Sequence, residues 1–188
     1  SQDQVKWYLD GDHIETDEVS FQALIAGNAN IPVVSIGRGN ITYGEHIDGN
    51  ISQIKISVDE EATFIADWNF NEGSGPLLLD NSGNNNHGII YGAEWSDDVP
   101  TMDPPPFEEN HSLSFDGNGD YVDLGNSSLF DFQYGDPFTI SMWIHPNSLG
   151  GDAGLISKMA DGGPVQYDVI TAGASIRYGT GDQFLFGG

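Results

Sequence analysis

The stretch SLSFDGNGDYVDLG, at residues 112–125, decides the fold of this chain. Leu113 and Phe115 alternate with serines before a glycine-rich turn, and the apolar positions resume after it at Tyr121. Alternation with a period of two predicts β-strands, and glycine tolerates the positive φ values that tight turns need. We therefore predict two strands here, joined by a hairpin loop at residues 116–120.

The same pattern extends outward from this stretch over the whole chain. Asp10-Gly11 lies between two alternating runs and predicts a hairpin turn. Residues 97–109, with four prolines, predict an exposed connection because proline removes a ladder donor. No window shows a long helical period, and strands recur about every 8–12 residues, as in a β-sandwich. The other predicted strands cover residues 4–9, 12–14, 33–36, 51–58, 63–70, 77–79, 89–91, 138–144, 155–158, 165–171, 175–178 and 183–186.

Composition limits the classes of partner. The 188 residues suffice for one full-sized core, and 29 acidic residues against five Lys and Arg give a formal charge of -24. Such a charge repels nucleic acid and anionic membranes and attracts cations. The chain has no cysteine and no long apolar run, which favours a secreted protein without disulfides or membrane insertion. The sequence also begins at Ser1 in the middle of a sequence pattern, which suggests that the chain is cut from a longer polypeptide.

Two blocks of short motifs, taken together, resemble the laminin-G-like branch of the concanavalin A-like jelly rolls. In that family the block found here at residues 66–188 normally precedes the block found at residues 5–56. The resemblance implies an all-β, antiparallel jelly-roll sandwich whose pieces are permuted or split. Residues 1–60 would be its C-terminal part and residues 61–188 its N-terminal part. The motifs are DWNFNEGSG (67–75), DNSGNNNHG (80–88), SFDGNGDYVDLG (114–125) and FTISMWIHP (138–146), and, in the other block, WYLDG (7–11) and IDGNISQIKI (47–56).

The unusual order leaves two possibilities open. The chain either closes on itself as a permuted domain, or forms two partial domains that need partners. The resemblance implies one further strand between residues 183–186 and residues 5–9, which this chain lacks. It also implies that Trp143 packs between the sheets. Where the family has an acidic pair that helps to anchor calcium, this chain has Ser52 and Gln53.

Several loops concentrate the oxygen atoms that calcium prefers. The loop at residues 80–88 combines Asp, Asn and Ser side chains with two glycines, and residues 116–120 carry two carboxylates. The alternative for both loops is a turn whose side chains bond their own backbone. The candidate calcium ligands are Asp80, Asn81 and Asn84, with Asp67 and Glu72 beside them, Asp48 in place of the missing acidic pair, and Asp116 and Asp120.

Other residue types suggest binding rather than catalysis. Trp95 and Tyr91 lie beside a loop and are the candidates for stacking on sugar rings. No strand carries the paired carboxylates of a glycosidase, and no nucleophile elbow occurs. Asn-x-Ser/Thr sequons, which matter only in a glycosylating host, occur at Asn40, Asn50, Asn110 and Asn126.

We therefore expect a non-catalytic, extracellular, calcium-supported module that binds carbohydrate or mediates adhesion. One alternative is a structural subunit whose halves complete neighbouring copies of the same chain, giving a head-to-tail homopolymer or a tandem array. A further alternative is an accessory module of a secreted polysaccharide-degrading enzyme.

Overall fold

The computed structural model describes most of the chain as β-strands. It covers residues 3–9, 12–19, 33–39, 44–58, 63–100, 110–132, 137–148, 151–159, 165–172, 175–180 and 183–187. None of the helical residues in these ranges forms a helix with the length and hydrophobicity of a membrane span. The strands are β1 (Asp3–Leu9), β2 (Asp12–Val19), β3 (Val33–Ile36), β4 (Asp48–Ser57), β5 (Phe64–Trp68), β6 (Leu77–Leu78), β7 (Gly88–Tyr91), β8 (Glu94–Ser96), β9 (Ser112–Asp116), β10 (Tyr121–Asp123), β11 (Thr139–Pro146), β12 (Asp152–Met159), β13 (Val165–Ala172), β14 (Ser175–Thr180) and β15 (Gln183–Gly187), with one 3-10 helix, η1 (Ser128–Phe130).

The larger sheet has eight antiparallel strands in the order β15-β14-β13-β12-β3-β10-β7-β6. β3 lies in its middle, where Ile36 pairs with Val122 of β10 on one side and with Ile156 of β12 on the other. Both partners of the early strand β3 therefore lie far along the chain from it.

The smaller sheet has five strands, of which β4 is the centre. On one edge, β4 pairs with β11 over Gly49–Ser57. Its other edge pairs with β9 over Asp48–Ile51 and with β5 over Ile54–Ser57, and β8 extends the sheet beyond β9. Gln53, with φ of 33°, lies at a register shift in β4 and forms a bulge there.

The two sheets enclose one hydrophobic core. Val34 and Ile36 contribute from the large sheet, and Ile54, Trp68 and Phe115 from the small one, all buried. The predicted all-β, antiparallel sandwich is confirmed, and strands from residues 33–57 complete both sheets together with strands from residues 64–187. The jelly-roll order and the permutation implied by the resemblance stay predictions.

The hairpin predicted around Asp10-Gly11 is confirmed, because β1 pairs with β2 over Asp3–Val19. Two other expectations are wrong. Residues 116–120 are not a hairpin loop, since β9 belongs to the small sheet and β10 to the large one, so this turn crosses between sheets. Trp143 is half-buried at a register shift of β11 and is not among the side chains packed on the core, whereas Trp68 is fully buried.

Candidate functional site

The outer face of the large sheet carries a group of exposed and half-buried apolar and aromatic side chains near its β6 edge. Strand alternation places them there: in β7, Ile90 packs on the core, while Ile89 and Tyr91 point to the opposite face and are exposed. The register pairs Leu77 with Ile89 and Tyr91 with Tyr121. We call Leu77, Ile89, Tyr91 and Tyr121, together with Arg38, the tyrosine face.

The centre of the tyrosine face is a stack of three planar groups. The rings of Tyr91 and Tyr121 are 4.8 Å apart between centroids and 17° from parallel. The guanidinium carbon of Arg38 lies 3.8 Å from the centroid of Tyr121. Both partners cannot occupy one face of the ring, so Tyr121 lies between Tyr91 and Arg38. Tyr91 is 43% exposed, so part of its ring remains open to solvent.

Arg38 brings a cation to this face. Within the described residues it forms no ion pair, while Lys55 pairs with Asp67 and Lys158 with Asp131. The register across β7, β10 and β3 also places Asp123 on the outer face, opposite Ile89. The tyrosine face thus offers a stacking surface and donor groups, and Asp123 adds a carboxylate beside it.

The two predicted sugar-stacking residues have different surroundings. Tyr91 lies in the tyrosine face. Trp95 lies in β8 of the small sheet, where it is half-buried, packs on the core and donates from Nε1 to the carbonyl of Gly75 at 2.8 Å. The structure therefore pairs Tyr91 with Tyr121 rather than with Trp95.

The loop at residues 80–88 is organised by the buried carboxylate of Asp80. Its Oδ1 accepts from the backbone N–H groups of Asp67 at 3.0 Å and Ser82 at 2.9 Å. Its Oδ2 accepts from the Ser82 hydroxyl and the Asn86 N–H, each at 2.9 Å. These four donors match the number of acceptor positions on a carboxylate. Such bonds are expected if the loop is a turn whose side chains bond their own backbone. Calcium binding at this loop stays a prediction.

These bonds also set the protonation state of Asp80. Burial alone would raise the pKa of its carboxyl, but the hydrogen bonds from Ser82, Asp67 and Asn86 outweigh burial and lower it. Asp80 is therefore held as a carboxylate.

The other predicted ligands around this loop make bonds of their own. Asn81 and Asn84 donate from Nδ2 to the carbonyls of Asp67 and Ile65, at 3.3 Å and 3.2 Å. Glu72 accepts from the N–H of Leu79 at 3.2 Å, and its Oε2 is buried without a partner. Burial raises the pKa of Asp67, and Asp80 raises it further against the effect of Lys55.

A second group of predicted ligands meets where β4 and β9 pair. Asp48 lies opposite Asp116, and its Oδ1 accepts from Asn147 Nδ2 at 2.7 Å. Asp120 Oδ2 accepts from the N–H of Asp116 at 3.0 Å. The structure thus brings together Asp48, Asp116 and Asp120, apart from the Asp80 loop. In the part of the chain that is described, no three His, Asp or Glu side chains are placed to hold a metal ion.

Of the sequon asparagines, Asn110 and Asn126 are exposed and Asn50 is half-buried, bonded through Nδ2 to Asp98 at 2.6 Å. Asn40 lies outside the described residues.

Sequence reasoning missed Arg38 and Tyr121. The rarity of basic residues singles out Arg38, but only the register of β10 against β7 brings Tyr121 to Tyr91. No known family model, curated protein or solved structure matches this chain. The resemblance to laminin-G-like domains therefore stays a prediction.

Proposed function

We propose that this protein is a non-catalytic glycan-binding module and that the tyrosine face is its binding site. The observation that carries the proposal is the stack of Tyr91, Tyr121 and Arg38 on an exposed sheet face. An extracellular, adhesive role belongs to the same proposal.

The chemistry of the face suits a sugar ring. The C–H face of a pyranose is apolar and packs on an aromatic ring, and the open face of Tyr91 offers such a ring. Sugar hydroxyls both donate and accept hydrogen bonds, and Arg38 supplies donors while Asp123 supplies acceptors. Ile89 and Leu77 extend the apolar surface beside Tyr91.

The charge of the chain favours neutral glycans. A formal charge of -24 repels polyanions such as sulfated or uronate-rich chains. Within the described residues, Arg38 is the one cation on the tyrosine face. A neutral oligosaccharide avoids this repulsion and still uses the aromatic and hydroxyl contacts.

Calorimetric titration with a panel of neutral oligosaccharides tests the proposal. We expect binding to at least one, and we expect Tyr91→Ala to abolish it because the exposed stacking surface is lost. Leu129→Ala, which removes an exposed side chain on η1 away from this face, is the matched control and should bind normally. Absence of binding to the whole panel, or equal binding by folded Tyr91→Ala, contradicts the proposal.

A second candidate function, assembly by strand addition between copies, is favoured by open sheet edges. β11 is eight residues long, carries no Lys, Arg, Asp or Glu, and pairs within the described chain only with β4. Edge strands in proteins are usually short, charged or covered, because an open edge recruits another strand. The β1–β2 hairpin joins neither sheet in the described residues and is the proposed donor.

Light scattering during size-exclusion chromatography tests this second candidate. Concentration-dependent oligomers that Ser141→Lys dissociates support it, since Ser141 is exposed on β11 and a lysine there opposes strand addition. Ser128→Lys, an exposed serine on η1, is the control. A monomer at every concentration contradicts it.

A further inference from the structure

Asp168 is a carboxyl residue buried on the outer face of the large sheet. Asp168 is paired with Ser157 of β12, and Ser157 is paired with Ser35 of β3, so the three residues form one row across the sheet. The neighbouring residue Val169 packs on the core, so this row faces the opposite side. Asp168 is 3% exposed although it points away from the core. Something outside the sheet must therefore cover it.

The segment that follows β3 lies over β12 next to Asp168; of it, residues 37–39 and 44–46 are described, and we call these residues the cover segment. The Ser157 hydroxyl donates to the carbonyl of Arg38 at 2.7 Å. The carbonyl of Glu45 accepts from Gly39 N–H at 2.7 Å and from Gly154 N–H of β12 at 3.1 Å. A Cβ at Gly154 would lie 1.7 Å from the Gly39 nitrogen, so the cover segment lies directly against β12.

No described cation compensates the carboxyl of Asp168. Its Oδ1 has no hydrogen-bond partner, and the charged groups that act on it are the carboxylates of Glu45 and Asp152. Lys158 of β12 lies on the core side, paired with Asp131. On β14, Gly179 is the residue opposite Asp168, and Arg177 is opposite Ile170. From the cover segment, His46 adds a buried Nδ1 that also lacks a partner.

Among the described residues no counter-ion faces Asp168, and a buried carboxyl in that situation keeps its proton. Burial, reinforced by Glu45 and Asp152, raises the pKa of Asp168 to about 8. Neutral Asp168 therefore fits beneath the cover segment at neutral pH, while an ionised Asp168 would place a second negative charge against Glu45.

We propose that Asp168 is a proton-dependent latch: protonated, it lets the cover segment close on the sheet, and ionised, it releases the segment. The segment carries Arg38, whose guanidinium stacks on Tyr121. Release therefore withdraws Arg38 from the tyrosine face. The effect on glycan affinity rests on the proposed function, whereas the latch itself is measurable without glycan.

The pH dependence follows from the two states of the carboxyl. In the open segment Asp168 is hydrated and has the ordinary pKa of 3.8, and in the closed one its pKa is about 8. Opening thus releases a proton between these values, so the opening constant rises up to about tenfold per pH unit there and levels off above it.

Hydrogen exchange of the Gly39 and Gly154 amides, corrected for the intrinsic rate, reads the opening. We expect their protection to fall as the pH rises from about 5 to 8 in the native chain, and to stay level in Asp168→Asn, which cannot ionise. Asp123→Asn is the control: Asp123 is paired with Ser35 in the same row across the sheet, and the variant should show the same pH dependence of protection as the native chain. The Asn86 amide, held by Asp80, is the internal control.

A carboxyl-carbon NMR titration of the native chain keeps the test decisive should Asp168→Asn fail to fold. An Asp168 midpoint near 8 that Glu45→Gln lowers supports the latch. A midpoint near 4, or the same fall of protection in Asp168→Asn as in the native chain, overturns it. If the protection of the Gly39 and Gly154 amides does not change with pH while glycan binds normally, the latch is refuted and the proposed function stands.

Discussion

Replacing Asp80 by asparagine tests whether one buried carboxylate holds the loop at residues 80–88. The change is nearly isosteric, but it puts an NH₂ group where one carboxylate oxygen accepts bonds. If that group takes the place of Oδ2, the buried N–H of Asn86 loses its acceptor at 2.9 Å and faces another donor. Asn86 also links the loop to the core, since its carbonyl accepts from Trp68 Nε1 at 2.9 Å.

The expected loss follows from the bonds removed. A hydrogen bond to a charged group contributes about 1.5–3 kcal/mol, and a buried donor left unsatisfied costs about 1–3 kcal/mol. These effects overlap at Asn86, so we expect Asp80→Asn to lower the free energy of unfolding by about 2–4 kcal/mol. For a chain of this size that is a fall in Tm of roughly 5–15 °C.

Urea denaturation followed by tryptophan fluorescence measures this loss. Glu94→Gln, an exposed carboxylate on β8, is the control and should change stability by less than about 0.5 kcal/mol. Because the folded pKa of Asp80 is lowered, its contribution is present above the ordinary pKa of 3.8 and is lost as the pH falls through the folded value. If Asp80→Asn loses no more stability than the control, the Asp80 carboxylate does not hold the loop at residues 80–88.

Three further predictions concern packing and calcium. Asp131→Asn leaves the buried ammonium of Lys158 without its charge partner and should lower the free energy of unfolding by about 3 kcal/mol. Lys158→Met removes that charge and should lower it by less; equal losses of the two variants in urea denaturation contradict this ordering. Gly154→Ala forces a Cβ into the backbone of the cover segment and should cost about 1–3 kcal/mol, and a Tm equal to that of the native chain contradicts the close approach. The predicted calcium sites imply a higher Tm in Ca²⁺ than in EDTA, with the difference reduced by Asp48→Asn or Asp80→Asn; identical Tm values in both solutions remove them.

The sequence was sufficient for the class of fold because local patterns encode strands and turns. The alternation on both sides of Asp10-Gly11 predicted the β1–β2 hairpin that the structure contains. The pattern at residues 112–125 also gave two strands correctly, but not their sheets. A tight turn between strands is compatible with a hairpin and with a crossing between the two sheets. Which of the two forms depends on partners distant in sequence: β9 pairs with β4, and β10 pairs with β3 and β7.

The candidate site was less predictable for the same reason. Tyr91 was identified as a candidate because an aromatic residue beside a loop is suited to binding. Tyr121 joins it through a register between strands thirty residues apart, and Arg38 through a segment folded over the sheet. The burial of Asp168 likewise arises from tertiary contacts, so the strand pattern around it in the sequence does not predict it.

NMR titration of the assigned chain with neutral oligosaccharides shows directly whether the tyrosine face binds glycan. We expect the ring signals of Tyr91 and Tyr121 and the guanidinium signal of Arg38 to shift together and saturate. Shifts centred on Trp95 in the small sheet, or no shift with any sugar of the panel, contradict it.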